Sequence, residues 1–291
     1  MRIVSLLARH GTATYANATA DMDDLFRLQL PDVVHDLVVI DNALPEHHLE
    51  ISAFGRTLIG AQNTHWEFSA WDRGISYLGE RLDDYDLVHL ATSAFRALPA
   101  RYLDRFSADM LAPLRGRGAA VGHIDYFNEP VTLRGRTLRS WLRSSFIMLP
   151  PAELRLLGSL VGIGDSRAFF SGDPARPFRS DAPLSPGYQD YIIQWLTGPG
   201  TGQGVEWHSR FDLNEGKLAL FEAKASAILN EQMLSSRLRG QGCALVDATW
   251  LATRCASLAK GAPLGSIPGW RWQVTHRDVD AAPRGLLQVA D

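Results

Sequence analysis

Three short, mostly apolar runs of residues constrain the fold of this chain more than any other feature. They cover residues 3–8, 37–40 and 87–90, and segments with helical character separate them. Strands with one solvated face alternate apolar and polar residues, whereas strands that are covered on both faces are apolar throughout. The three runs therefore predict an α/β fold in which helices flank a mostly parallel sheet.

The rest of the sequence extends this pattern. Glycine, proline and clustered polar residues separate the further segments. We predict helices over residues 17–30, 71–82, 99–114, 151–160 and 217–239, and further strands over 57–60, 119–123, 145–149 and 244–246. The regular alternation ends after residue 128. We therefore predict two halves of one domain, residues 1–128 and 129–291.

Composition limits the possible partners and location. The net charge of −3 and the 21% of charged residues give no reason to expect a nucleic-acid partner. Two cysteines cannot build a disulfide framework or a structural zinc site, which fits a reducing compartment. The apolar run near the N-terminus is too short for a signal peptide, and no apolar segment reaches membrane-spanning length. We expect a cytoplasmic protein without a transmembrane segment.

Polar residues follow the predicted strands at four places. These are Arg9-His10, Asp41-Asn42, Thr92-Ser93 and the segment from His123 to Asp125. In open α/β sheets, ligands bind beyond the carboxyl ends of the strands. Any one pair is more often a loop or cap, but four such places together favour a shared ligand site.

The segment over residues 63–74 has the highest density of polar and aromatic residues. It contains Asn63, Trp66, Glu67, Asp72 and Arg73. Such a segment before a regular helix and strand is typical of a ligand-binding loop on a rigid scaffold. The alternative is that Glu67 and Asp72 only cap the helix that follows.

These features resemble the bacterial GT-A-type glycosyltransferases, in particular the rhamnosyltransferase-like enzymes. The similar positions are Asp41 at the end of the second strand, segment 63–74, SSFIML at residues 144–149, and EQMLS at residues 231–235. The resemblance implies a GT-A-like, Rossmann-related fold whose first half binds a nucleotide-sugar donor. Its second half would bind a saccharide or glycoconjugate acceptor, including a lipid-linked one, and no cofactor is implied.

The resemblance also assigns roles to residues. It implies that Asp41 contacts the nucleotide base or ribose. The predicted donor-binding group is Arg9, His10, Asp41, Asn42, Asn63, Trp66, Glu67, Asp72, Arg73, Thr92 and Ser93. Inverting transfer needs a base for the acceptor hydroxyl. Asp125 is the first choice, with Glu206, His208 and Asp173 as alternatives. The predicted acceptor-binding group is Tyr126, Glu129, Trp207 and Arg210.

The sequence departs from the family at its usual metal site. The family places an acidic pair where Thr92 and Ser93 stand, and those carboxylates hold a divalent cation. Neutral hydroxyls cannot replace them as charged ligands. We therefore expect metal-independent activity, with arginines and backbone amides facing the diphosphate. A metal site built from carboxylates elsewhere, such as Glu67 or Asp125, is the alternative.

Two other functions remain open at the level of sequence. Arg9-His10-Gly11-Thr12 after an apolar strand resembles the opening of the histidine phosphatases, with His10 as the nucleophile. The missing acidic pair also suits a GT-A-like domain that binds a sugar or a partner without catalysis. Trapping a phosphohistidine would identify the phosphatase, and absence of nucleotide binding would favour the non-catalytic domain.

Overall fold

The computed structural model describes residues 1–52, 55–96, 103–198, 211–258 and 264–277. Its strands are β1 (Arg2–Arg9), β2 (Val34–Asp41), β3 (Leu49–Ile51), β4 (Thr57–Gly60), β5 (Leu87–Thr92), β6 (Ala119–Leu133), β7 (Arg136–Leu149) and β8 (Ala244–Asp247). Its helices are α1 (Ala18–Gln29), α2 (Trp66–Leu78), α3 (Ala108–Leu111), α4 (Pro151–Leu157), α5 (Pro186–Thr197), α6 (Glu215–Gly240), α7 (Ala248–Ala256) and α8 (Trp270–Thr275).

One eight-stranded sheet has the order β3-β4-β2-β1-β5-β7-β6-β8. The block β4-β2-β1-β5 is parallel throughout, and β6 and β8 are also parallel to each other. Strands β3 and β7 are antiparallel to β4 and β5, respectively. The predicted α/β class is therefore confirmed, with a mixed sheet flanked by helices.

Most predicted elements are present, but some bounds differ. The strands predicted over 57–60 and 244–246 and the helix predicted over 217–239 are confirmed to within a few residues. The single helix predicted over 99–114 is wrong in its described part. That part holds two 3-10 turns and the four-residue helix α3, and Pro113 in the second turn lacks the N–H that a longer helix needs.

Strands β6 and β7 form a hairpin much longer than the sequence predicts. Arg134 and Gly135 connect them with φ of 48° and 72°, as a two-residue turn of the I′ kind requires. This tight turn extends the pairing beyond residue 123. Asp125 and Glu129 consequently lie inside β6, not in a loop after the strand, and residue 128 falls within the same strand.

The chain divides into two compact units. Unit 1 comprises Met1–Ile124, Leu142–Leu160 and Arg237–Asp291, and unit 2 comprises Asp125–Trp141 and Val161–Ser236. The halves predicted from the sequence are a functional division and stay a prediction. None of the helices in the described ranges is long and apolar enough to cross a bilayer.

Helix α2 packs tightly on the sheet of unit 1. The buried indole N–H of Trp71 donates to the carbonyl oxygens of Leu6 (3.1 Å) and Ala91 (3.2 Å), on β1 and β5. Gly74 permits the close approach, because a Cβ there would lie 3.1 Å from a methyl carbon of Ile40. The start of α2 is thereby held next to the carboxyl ends of the strands.

A buried polar chain crosses the centre of the same sheet. The hydroxyl oxygen of Ser5 on β1 lies 2.8 Å from His35 Nε2 and 2.9 Å from His89 Nδ1, on β2 and β5. Phe26 of α1 stacks on the His35 ring with centroids 3.5 Å apart. Among the described residues, His89 Nε2 has no hydrogen-bond partner. Burial lowers the pKa of both imidazoles, which favours their neutral forms.

The side chain of Gln273 covers the outer edge of β8. Its Oε1 accepts from the N–H of Asp247 (2.6 Å), and its Nε2 donates to the carbonyl oxygen of Leu245 (3.0 Å). These two backbone groups point away from β6, so a further strand would otherwise bind them. Gln273 is only 1% exposed.

Unit 2 has a core of its own that is rich in aromatic residues. Phe127 and Trp141 of the hairpin contact each other with ring centroids 4.6 Å apart, and Tyr188 of α5 meets Phe127 edge-on at 5.6 Å. Phe221 of α6 belongs to the same core and is fully buried. Aromatic packing thus holds the hairpin, α5 and α6 together.

Candidate functional site

The structure brings the polar ends of three parallel strands together. The N–H of Asn42 donates to the carbonyl oxygen of Arg9 (2.9 Å), and the N–H of Ser93 donates to that of Ala8 (2.8 Å). The loops after β1, β2 and β5 therefore lie side by side at one edge of the sheet. The segment from His123 to Asp125 ends no strand, since β6 continues past it.

Asp41 ties these loops together. Its Oδ1 accepts from the N–H groups of Gly11 (2.8 Å) and Ala43 (2.9 Å), and its Oδ2 accepts from Arg9 Nε (2.7 Å). Burial alone would raise the pKa of this carboxyl, but the two N–H groups and the guanidinium outweigh burial and lower it. Both oxygens of Asp41 are already bound by protein groups, and the residue is 2% exposed.

Asn42 connects the second loop to the start of α2. Its Nδ2 donates to Asn63 Oδ1 (3.0 Å) and to the carbonyl oxygen of Trp66 (3.1 Å). Trp66 has a φ of 54°, a conformation that a bulky residue rarely adopts. In the described part of the chain, Asn42 Oδ1 and Arg73 Nε are buried without a hydrogen-bond partner. Both groups keep unused hydrogen-bonding capacity at this edge.

Residues 66–70 are helical, so the helix predicted from residue 71 begins five residues earlier and part of the predicted loop is helix. Helix α2 begins at Trp66, so Trp66, Glu67, Asp72 and Arg73 lie in its first two turns. The N–H of His65 donates to Ser69 Oγ (3.0 Å), which stabilises this early start. Arg73 points back to the loop after β2, where its Nη2 donates to the carbonyl oxygen of Glu46 (3.3 Å).

Glu67 is a half-buried residue next to the end of β5. Ser144 Oγ donates to its Oε1 at 2.9 Å, and Ser144 lies two residues before Phe146, the β7 partner of Ala91. Burial raises the pKa of Glu67, although the bond from Ser144 opposes this. A carboxyl with a burial-raised pKa beside polar strand ends is typical of a functional site. Sequence reasoning missed Ser144, whose only signal is the run of small residues in SSFIML.

Asp72 has a structural role within unit 1. Its Oδ1 accepts from the N–H of Leu160 (2.7 Å), and its Oδ2 accepts from Ser159 Oγ (2.5 Å). It lies in the middle of α2, so it does not cap that helix. Asp72 fixes the segment after α4 to α2, and each of its carboxyl oxygens already accepts a hydrogen bond from a protein group.

Replacing Asp72 by alanine should lower the free energy of unfolding by about 1–3 kcal/mol, because the buried Leu160 N–H loses its acceptor. Nucleotide affinity should not change. Urea denaturation and calorimetry measure the two quantities. The matched control is Asp83→Ala, which removes an exposed ion pair with Arg155 and should cost no more than about 0.5 kcal/mol. A stable Asp72→Ala variant with weakened nucleotide binding would instead show that Asp72 binds the donor, as the sequence predicts.

The remaining predicted donor residues lie at the same edge. His10 is exposed in the loop after β1, and Thr92 and Ser93 are half-buried at the end of β5. Among the residues that the structure describes, no group of three or more His, Cys, Asp or Glu side chains could hold a metal ion.

The predicted base and acceptor residues belong to unit 2. Asp125, Tyr126 and Glu129 lie on β6, with Tyr126 37% exposed. Asp173 belongs to a turn in which its Oδ1 accepts from the N–H of Ala175 (2.8 Å). The remaining predicted residues lie outside the described ranges; they are Glu206, Trp207, His208 and Arg210.

Neither a protein-family model nor a curated protein matches this chain. The site must therefore be interpreted from its own geometry.

Proposed function

We propose that this protein is a GT-A-like glycosyltransferase that moves a sugar from a nucleotide-sugar donor to a saccharide or glycoconjugate. The observation that carries the proposal is the carboxyl edge of β1, β2 and β5. There, Asp41 and Arg9 lock the loops in place, while Asn42 Oδ1 and Arg73 Nε stay buried without partners among the described residues. Buried polar groups without partners cost free energy, which a bound ligand would offset.

The sheet supports the same proposal. A ligand of an open α/β sheet binds beyond the carboxyl ends of its parallel strands, where these groups lie. The parallel block β4-β2-β1-β5 is followed by the reversed strand β7, an arrangement compatible with a Rossmann-related GT-A-like sheet.

The proposed transfer reaction forms one bond and breaks one bond at the anomeric carbon of the donor sugar. The acceptor hydroxyl oxygen forms a bond to the anomeric carbon, the bond from that carbon to the phosphate oxygen breaks, and the nucleoside diphosphate leaves. A base takes the hydroxyl proton. We propose Asp125 as this base, with Glu206, His208 and Asp173 as alternatives, and Arg9 and backbone amides as groups that stabilise the leaving diphosphate without a metal.

The phosphatase alternative predicts a phosphohistidine at His10, which is exposed in the loop after β1. Trapping that intermediate with a phosphorylated substrate would identify it. The non-catalytic alternative predicts no turnover in the experiment below, even if a nucleotide binds.

A panel of UDP, GDP, TDP, CDP and CMP tests the proposal by thermal shift. One nucleotide should raise the melting temperature with chelator present, since a ligand at a hundredfold excess over its Kd adds about 2.7 kcal/mol of stability. The corresponding nucleotide sugar should then release its nucleotide (a nucleoside diphosphate, or CMP for a CMP-sugar) when acceptors are added. If no nucleotide binds, the proposal is wrong. Activity that needs manganese would overturn its metal-independent part.

Asn42→Ala should weaken binding of that nucleotide about tenfold, because it removes an acceptor oxygen, Oδ1, to which no described residue donates a hydrogen bond. Calorimetry measures the affinity, and a melting curve of the same sample reports on folding. Asn214→Ala is the control, since Asn214 is exposed and its side chain donates to the carbonyl oxygen of Asp212 in its own turn. Equal nucleotide affinity in both variants would show that Asn42 does not contact the nucleotide.

A further inference from the structure

An open cavity of about 130 Å³ lies in unit 1, on the face of the sheet that α1 covers. Its apolar side is formed by Val39 and Leu58, which are partners on β2 and β4. Cavities that enclose whole drug-sized ligands span about 300–1,000 Å³. This one therefore suits a small ion or one group of a larger molecule.

Arg9 brings unused hydrogen-bond donors to this cavity. Its Nε is bound to Asp41, and its side chain is only 16% exposed. No described residue accepts a hydrogen bond from its terminal nitrogens, Nη1 and Nη2. Asp41 fixes the plane of the guanidinium, so these N–H groups are preorganised as a fork that fits two oxygens of an oxyanion.

A second guanidinium lines the same cavity. Arg56 pairs with Asp23 through one terminal nitrogen and is 45% exposed, which leaves its other donors accessible. Thr19, in the first turn of α1, adds a hydroxyl. One carboxylate, Glu50, lies at the exposed rim and opposes an anion. Two guanidinium groups and a hydroxyl around a small cavity match a tetrahedral oxyanion.

We propose that this cavity is a binding site for a phosphate group, held by Arg9 and Arg56 and weakened by Glu50. The phosphate has two possible sources, a free inorganic anion or a phosphate of the nucleotide donor. The site itself does not depend on the proposed transferase activity, because inorganic phosphate alone should fill it.

Calorimetry with inorganic phosphate, at an ionic strength held constant with chloride, tests the site in the intact chain. Arg56→Gln should weaken phosphate binding about tenfold, since it removes a charged donor. Glu50→Gln should strengthen binding about two- to threefold, because it removes a like charge at the rim. Arg27→Gln is the matched control, since Arg27 also pairs with an aspartate of α1 but does not line the cavity.

The opposite signs of the two variants separate a specific effect from damage to the fold. Absence of phosphate binding, or equal affinity in Arg56→Gln and Arg27→Gln, would overturn the proposal. Displacement of phosphate by a bound nucleoside diphosphate would identify the donor as the source, and its absence would identify a free anion. Phosphate binding without any nucleotide binding would leave the site standing and the transferase proposal wrong.

Discussion

Asp41→Ala should destabilise the protein by about 3–5 kcal/mol, which is the usual cost of breaking a buried ion pair by removing one partner. The substitution leaves the largely buried guanidinium of Arg9 without its carboxylate and frees the N–H groups of Gly11 and Ala43. Urea denaturation followed by circular dichroism measures the loss. The sequence suggested a ligand contact for Asp41, and such a role alone would leave stability nearly unchanged.

Asp24→Ala provides the control for Asp41. Asp24 pairs with Arg27 on the surface of α1, at 55% and 67% exposure, so its loss should cost less than about 1 kcal/mol. If Asp41→Ala loses no more than this control, Asp41 does not organise the loops. The direct contact with a nucleotide base or ribose would then be the better interpretation.

Acid should destabilise the protein through its two buried histidines. Burial lowers the pKa of His35 from 6.5 to about 4 and lowers that of His89 well below 6.5, where the neighbouring His35 adds to the effect. The unfolded chain therefore binds protons at a higher pH than the folded protein does. Stability is fully present above pH 6.5 and is lost as the pH falls toward 4.

The expected loss is large for a single side chain. The interval from 6.5 to about 4 for His35, at about 1.36 kcal/mol for each pH unit, corresponds to at most about 3.4 kcal/mol. His89 adds to this, since a charge there would lie between Phe26 and Phe146. Urea denaturation at a series of pH values gives the profile.

His35→Gln should flatten the profile, because it removes one titrating group while keeping a polar partner for Ser5. His47→Gln should leave the profile unchanged, since His47 is exposed. Equal slopes in His35→Gln and in the unsubstituted protein would show that His35 does not govern the acid transition.

The sequence predicted the parallel block of the sheet because its signal is local. Strands β1, β2 and β5 are buried on both faces, and continuous apolar runs follow directly from that environment. The full length of the β6–β7 hairpin was not predicted, because its strands lack such a continuous apolar signal. Its outer residues are partly exposed, and its tight turn depends on a left-handed conformation at Arg134 that a two-residue Arg-Gly signal barely encodes.

The sequence predicts the candidate site as a region, but it does not predict the hydrogen bonds within that region. The edge where Arg9, Asp41 and Asn42 meet follows from the direction of parallel strands. The carboxyl groups of Asp41 and Asp72 accept hydrogen bonds from the backbone N–H groups of Gly11, Ala43 and Leu160. The type of a residue does not indicate where its backbone N–H points in the fold. Composition indicates which side chains are polar, but only the fold shows which of them already have partners.

The amide of Gln273 has a consequence for solubility. Terminal strands recruit other chains through unpaired backbone groups, and amyloid-like association often begins there. By binding the outward N–H and carbonyl of β8, this one side chain removes the template at that end of the sheet. Gln273 thus protects the outer edge of β8 against pairing with a strand of another molecule. Because Gln273 belongs to α8, a helix and not a further strand covers this edge.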